Sequence, residues 1–176
     1  MVSGVQQRSE KGPLKALESV GRTLKLAPLL LLGAAPPEPV STWHVQRVNE
    51  GGAVKCHIES EKAPINDGYQ NVTAQLVVTA DNLVQIISLS TFDFGSADIG
   101  IQVDKNALVK ADKLVGDKMV LFEASAATLI PQFKAGLHAR VQLRFWPTWP
   151  VTGTHDAEVS LIGFTKAYAE MVGNCK

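Results

Sequence analysis

The amino-acid sequence predicts a mainly β protein: an antiparallel β-sandwich or partly closed barrel with two short helices. Three observations predict it. From Arg140 to Phe145 the chain alternates, with Val141, Leu143 and Phe145 on one face and Arg140, Gln142 and Arg144 on the other. That period of two is what a half-buried strand requires. Turn dipeptides recur at short intervals, among them Gly51-Gly52, Asp67-Gly68 and Gly116-Asp117. No βαβ rhythm is visible, which argues against a parallel sheet.

Apolar residues make up 45% of the 176, enough to bury a core and too many for a wholly disordered chain. Basic and acidic residues balance at 17 each, so no electrostatic footprint for nucleic acid exists. The charge is uneven along the chain, however. Residues 1–35 hold five basic side chains and two acidic ones, which leaves the rest net acidic. Three regions follow: a front segment 1–35, a Pro-rich spacer 36–42 and one β-rich domain 43–176. Pro36, Pro37 and Pro39 make the spacer stiff and extended.

Leu26 to Ala35 reads Leu-Ala-Pro-Leu-Leu-Leu-Leu-Gly-Ala-Ala. It is shorter than the roughly 20 apolar residues of a spanning helix. Basic residues before it and small ones after it suit a secretory signal. Pro28 inside the run and Pro36 at its end depart from that pattern. The other reading is an amphipathic docking helix from Leu14 to Leu32. The signal is the expectation carried forward, with a periplasmic or secreted destination.

Within the domain, Trp43–Val48 and Ala53–Ile58 form a hairpin across Gly51-Gly52. Pro64–Gly68 reads as a loop. Asn71–Thr79 and Leu83–Ser90 are two β-branched strands separated by Ala80-Asp81-Asn82. Phe92-Asp93-Phe94-Gly95 is a break whose rings plug the core. Ile99–Val103 is a short strand, Ala107–Val115 is open between strand and polar loop, and Met119–Glu123 is a strand. Ser125 resembles an N-cap for a helix of one or two turns that buries Leu129, Ile130 and Phe133 and ends at Gly136. Pro131 is the reason for expecting it to be short. Ala157–Leu161 pairs with the strand from Arg140. Phe164, Ala167, Tyr168 and Met171 then share one helix face, with Gly173 as the stop. The sum is eight to ten strands.

There are two cysteines, Cys56 and Cys175. In an exported protein an even count invites a bridge, and this one would join the chain's end to its first hairpin. A loop that long is worth about 4–5 kcal/mol on the chain-entropy model, less if strained. Two free thiols are the alternative.

The sequence offers little chemistry. No two of His44, His57, His138 and His155 lie at chelating spacing. Adjacent strand residues such as Cys56-His57 face opposite ways. There is no Gly-x-Ser-x-Gly elbow and no phosphate loop. Asp93, Asp98 and Asp104 offer the carboxylates of a glycosidase, but acidic residues at strand ends are more often turn formers. Asn71-Val72-Thr73 matches a glycosylation acceptor and reads better as a strand start. No catalytic residue, metal ligand or cofactor is therefore expected.

The candidate contact surface is Arg144 with Trp146 and Trp149, on the Pro-interrupted corner Trp146-Pro147-Thr148-Trp149-Pro150. Tryptophan beside arginine is favoured at interfaces. Burial over the end of the sandwich is the commoner fate of such rings, and it is the expectation here.

Several segments together have a familiar pattern. A tryptophan opens the domain, with a cysteine in the returning strand. Ile99-Gly100-Ile101-Gln102-Val103-Asp104 follows, and Leu129 to Gly136 leads into a strand. Ser160-Leu161-Ile162-Gly163-Phe164 then runs into a short helix with a final cysteine. From about Trp43 to Cys175 the chain resembles the invasion-associated locus B family of exported bacterial proteins. The resemblance implies a periplasmic or outer-surface β-protein. In some pathogens that family is linked to host-cell entry, and its biochemical activity is undefined.

The expectation is a non-enzymatic binding or interaction protein of the envelope, with another envelope or host protein as partner and no spanning helix. The rival readings are a subunit of a larger envelope assembly docked by its front segment, and a carbohydrate-active β-sandwich enzyme.

Overall fold

The computed structural model of the chain describes residues 42–95, 98–147 and 153–175. The readings of residues 1–35, and most of the spacer, fall outside them. The first hairpin pairs β1 (Trp43–Glu50) with β2 (Ala53–Ser60) from Trp43↔Ser60 to Glu50↔Ala53 without a slip. Gly51 and Gly52 both take positive φ, as the two-residue turn that matches strand twist demands. The chain continues through β3 (Ala63–Asn66), β4 (Asn71–Thr79) and β5 (Val84–Ser88), then β6 (Gly100–Val103), β7 (Val109–Lys110), β8 (Lys113–Val115) and β9 (Met119–Phe122). Helix α1 (Ala126–Ala135), strands β10 (His138–Leu143) and β11 (His155–Ser160), and helix α2 (Phe164–Asn174) complete it.

Two antiparallel sheets result, as expected of a sandwich. One runs β1-β2-β4-β5-β9-β8, with β3 also on β4; the other runs β11-β10-β6-β7. Their inward residues meet in one core. Ile58, Leu76, Val78, Val84 and Ile86 come from the first sheet, and Ile101, Val103, Val141 and Leu143 from the second. Each such side chain is worth about 1.5–3 kcal/mol when fully buried. Strand β10 obeys the alternation read from sequence: Ala139, Val141 and Leu143 are buried, while Arg140 is exposed and Gln142 half-exposed.

The helices pin β1 and β2 at one end. Trp43 is 3% exposed, and its indole N–H donates to Ser160 O at 2.9 Å. The ring meets Phe164 of α2 edge-on at 4.9 Å, and Phe164 meets Phe133 of α1 at 5.3 Å. Cys56 of β2 is bonded to Cys175 just beyond α2, with Cα atoms 6.0 Å apart, an ordinary disulfide span. Gly136 lets α1 turn into β10. A Cβ there would lie 2.5 Å from Val103 Cγ1.

Several expectations need correction. Strands among the described residues number eleven rather than eight to ten. Residues 63–66 are strand β3, not loop. Ala63 and Ile65 are buried, Pro64 and Asn66 are exposed, and Pro64 is tolerated because β3 pairs on one side only. The ambiguous stretch 107–115 splits, β7 joining one sheet and β8 the other. Helix α1 is nearly three turns long despite Pro131. Pro131 and Ala127, whose carbonyl loses its helical partner, are both exposed, so water can replace the bond. Ser125 makes no side-chain cap; its hydroxyl bonds Asp112 Oδ1 at 2.9 Å. Burial pushes Asp112 upward, but the Ser125 bonds together with the Glu123 and Ala124 amides outweigh it and hold the carboxyl below its usual range. Helix α2 runs one residue past Gly173.

Candidate contact surface

Beyond Leu143 the alternation of β10 continues without a ladder. Phe145 is buried and bridges Phe92, and the two rings stack 5.5 Å apart. Asp93 N–H donates to Arg144 O at 2.9 Å, and Trp146 N–H to Thr91 O at 2.8 Å. The end of β10 is thus stitched to the loop after β5. Phe92 acts as the core plug expected of it, whereas Phe94 is only half-buried against the core.

Arg144 lies beneath this surface rather than on it. Its side chain is 14% exposed, and its guanidinium grips the Asp98 carboxylate, Nη2 on Oδ2 and Nε at 3.4 Å from Oδ1. Gln142 Nε2 donates to Asp98 O at 2.8 Å. The Arg144 hydrogen bond and charge hold the Asp98 carboxyl below its usual range, against burial. In return, the Asp98 bond raises Arg144 above its ordinary value.

Trp146 is 63% exposed, so the burial expected of it does not occur. Phe145 closes this end of the core instead, and its neighbour in an extended chain must point the other way. The Trp146–Pro147 peptide is cis. Trp149 lies outside the described residues.

Two residues that the sequence reading passed over belong to the same end. Tyr69 and Leu89 are exposed on the turn after β3 and the loop after β5. Asp67 binds these segments together. It accepts from the N–H groups of Tyr69 and Gln70 at 2.9 Å each, and from Ser90 Oγ at 2.6 Å. Burial pushes Asp67 upward, but the Ser90 hydroxyl and the two amides prevail and lower it. Three aromatic or apolar side chains are therefore carried by loops that hydrogen bonds join. A tyrosine directly after the Asp-Gly turn was the available signal.

The other chemical candidates have separate partners. Asp104 accepts from the amides of Leu137 and His138 at 3.1 and 3.0 Å, and Asp93 from Gly95 N at 3.0 Å. His138 Nδ1 lies 3.2 Å from Glu158, and His57 Nε2 lies 4.0 Å from Glu59. His155 tilts against Phe145. The disulfide leaves Cys56 no thiol. Among the described residues no three His, Cys, Asp or Glu side chains group as metal ligands. Asn71 begins β4, its side chain bonded to Asn66.

Fold and disulfide together define a two-sheet β domain tied from its first hairpin to its tail. A crystal structure of invasion associated protein b from Bartonella henselae is similar, with a TM-score of 0.53 at 19% identity. The match covers 79% of this chain and 96% of that one, and at this identity the likeness is one of fold. No family model and no curated sequence matched the chain. Among the described residues no helix is long and apolar enough to cross a membrane.

Proposed function

We propose that this chain is an exported binding protein of the bacterial envelope, of the kind the invasion-associated locus B proteins represent, and that it works by contact rather than catalysis. The carrying observation is the Cys56–Cys175 bond. A disulfide linking residues 119 apart persists in an oxidising compartment and is rare in the cytosol. The fold likeness to invasion associated protein b supports the same reading. The partner surface is the end bearing Trp146, with Tyr69 and Leu89 beside it and Arg144 bracing the backbone from below. Aromatic side chains held on a hydrogen-bonded frame lose little freedom on binding.

The experiment is fractionation of the native host, N-terminal sequencing of the recovered protein and a thiol titration. A start near Pro36, a non-cytoplasmic fraction and no free thiol are expected. An intact N-terminus with two titratable thiols in the cytoplasm would overturn the proposal and favour an intracellular docked subunit.

A further inference from the structure

We propose a second interaction surface, independent of the first and of export: the outer edge of β1 beside α2 receives an extended polypeptide segment from another protein, added as a strand. Among the described residues β1 pairs only with β2, so it ends its sheet. Roughly half the backbone groups of such a strand point away from the neighbour. The register says which ones. A two-residue turn closes on a hydrogen-bonded pair, here Glu50 and Ala53. Glu61 N–H donates to Thr42 O at 2.9 Å, the same parity at the other end. Even-numbered residues therefore bond β2. Val45, Arg47 and Asn49 turn their N–H and C=O groups outward.

This edge has few of the usual protections. Proteins blunt exposed edges with prolines, bulges, charged side chains (lysine above all), short strands or a covering element. β1 is eight residues long, contains neither proline nor lysine, and pairs with β2 without a bulge; its one arginine, Arg47, is not among the residues lining the groove beside α2. The other edges differ. β7 and β8 have two and three residues, and β3 packs beside β11. Only β1 combines length with an open side among the described residues.

A groove of about 410 Å³ runs along this edge, between Trp43–Gln46 and the α2 residues Lys166, Ala167 and Glu170. A strand edge flanked by a helix is the arrangement by which domains capture peptides through strand addition. The occupant is set by chemistry. An outward row of alternating donors and acceptors is satisfied by another extended backbone. Val45 and Ala167 give the groove an apolar floor, and the exposed Lys166 and Glu170 stand along its helix side. The segment therefore presents small apolar residues at alternate positions, with polar ones between.

Hydrogen exchange on the full chain tests whether the edge is open. Amides of Val45, Arg47 and Asn49 should exchange roughly tenfold or more faster than those of His44, Gln46 and Val48. Concentration-dependent protection would show that a second copy occupies the edge. Protection at every concentration would show that this chain covers it itself. Either result overturns the proposal. Panning a displayed library of short random peptides against the full chain supplies the ligand. Selected peptides should alternate apolar and polar residues. Val45→Pro removes one outward N–H without touching the β2 ladder and should weaken them about tenfold, the worth of one hydrogen bond. Lys166→Tyr, which fills the groove from an exposed helix position, should weaken them as well. An empty selection, or binding indifferent to both substitutions in folded protein, would also overturn it.

Discussion

Trp43 and Trp146 are the same side chain at two ends of one domain, and they meet opposite fates. Trp43 is 3% exposed, with its indole N–H satisfied by Ser160 O; Trp146 is 63% exposed. Aromatic character does not separate them. Position within the alternation does. Trp43 shares the inward parity of Val45 and faces Phe164, whereas Trp146 follows the buried Phe145 by one residue. One end of the molecule is a sealed anchor of rings and sulfur. The other is a frame of hydrogen bonds that holds rings outward.

The largest test of this contrast is Trp43→Ala. It removes the ring that links β1 to α2 and the shorter of the two side-chain bonds to Ser160 O, leaving the Thr42 hydroxyl at 3.2 Å as its side-chain donor. A loss of about 3–5 kcal/mol is expected, read by urea unfolding. A loss below about 1 kcal/mol would mean the sealed end is looser than its packing implies.

Next comes the disulfide. Cys175→Ser, or reduction, should cost about 2–5 kcal/mol. At the scale of this domain that is a fall of roughly 7–18 °C in Tm. Hydrogen exchange should place the loosening in the last turn of α2, whose final buried apolar residue is Met171. An unchanged Tm in reductant would show that the aromatic cluster alone holds the helix.

The loop end should respond to acid. Asp67 and Asp98 both sit below their ordinary value of 3.8 in the folded protein. Their bonds to Ser90 and Arg144 therefore stabilise the fold above about pH 4. That contribution is lost as pH falls through the lowered folded values. Exchange at the amides of Tyr69, Gln70 and Asp93 should rise below pH 4 before exchange near Phe164 does. Asp67→Asn should flatten that response. Uniform acid loosening of both ends would remove the distinction.

Much of the fold was legible because it rests on local rules. The Gly51-Gly52 hairpin, the β4–β5 pair and the inward residues of β10 all follow from period and turn chemistry. Strand β3 was obscured by Pro64, since a proline in a four-residue strand reads as loop until its one-sided pairing is visible. Helix α1 looked short because Pro131 weighs against it locally, while burial of Leu129, Ile130 and Phe133 outweighs that in the assembled core. The site was legible in part. Trp146 and Arg144 were found, but Arg144's partner lies 46 residues away at Asp98, a pairing no local pattern announces. The exposure of Trp146 was written in the alternation itself. Arg140, Gln142 and Arg144 share its parity, and the general tendency of aromatic rings to bury was the wrong rule to apply there.

The smallest expected effect on stability is therefore the most informative about function. Trp146→Ala removes an exposed ring whose backbone N–H still reaches Thr91 O. Stability should stay within about 0.5 kcal/mol of the parent. If the frame at this end exists to present rings, the same substitution should weaken association with an envelope or host partner by roughly tenfold or more, as loss of an interface anchor does. Tyr69→Ala should act in the same direction, and Leu89→Ser less strongly. Size-exclusion profiles of native envelope extracts, parent against variant, read the difference. A Trp146→Ala protein that is stable and still co-migrates with every parent complex would leave this end a closure of the sandwich and nothing more. Binding would then have to be sought at the open edge of β1.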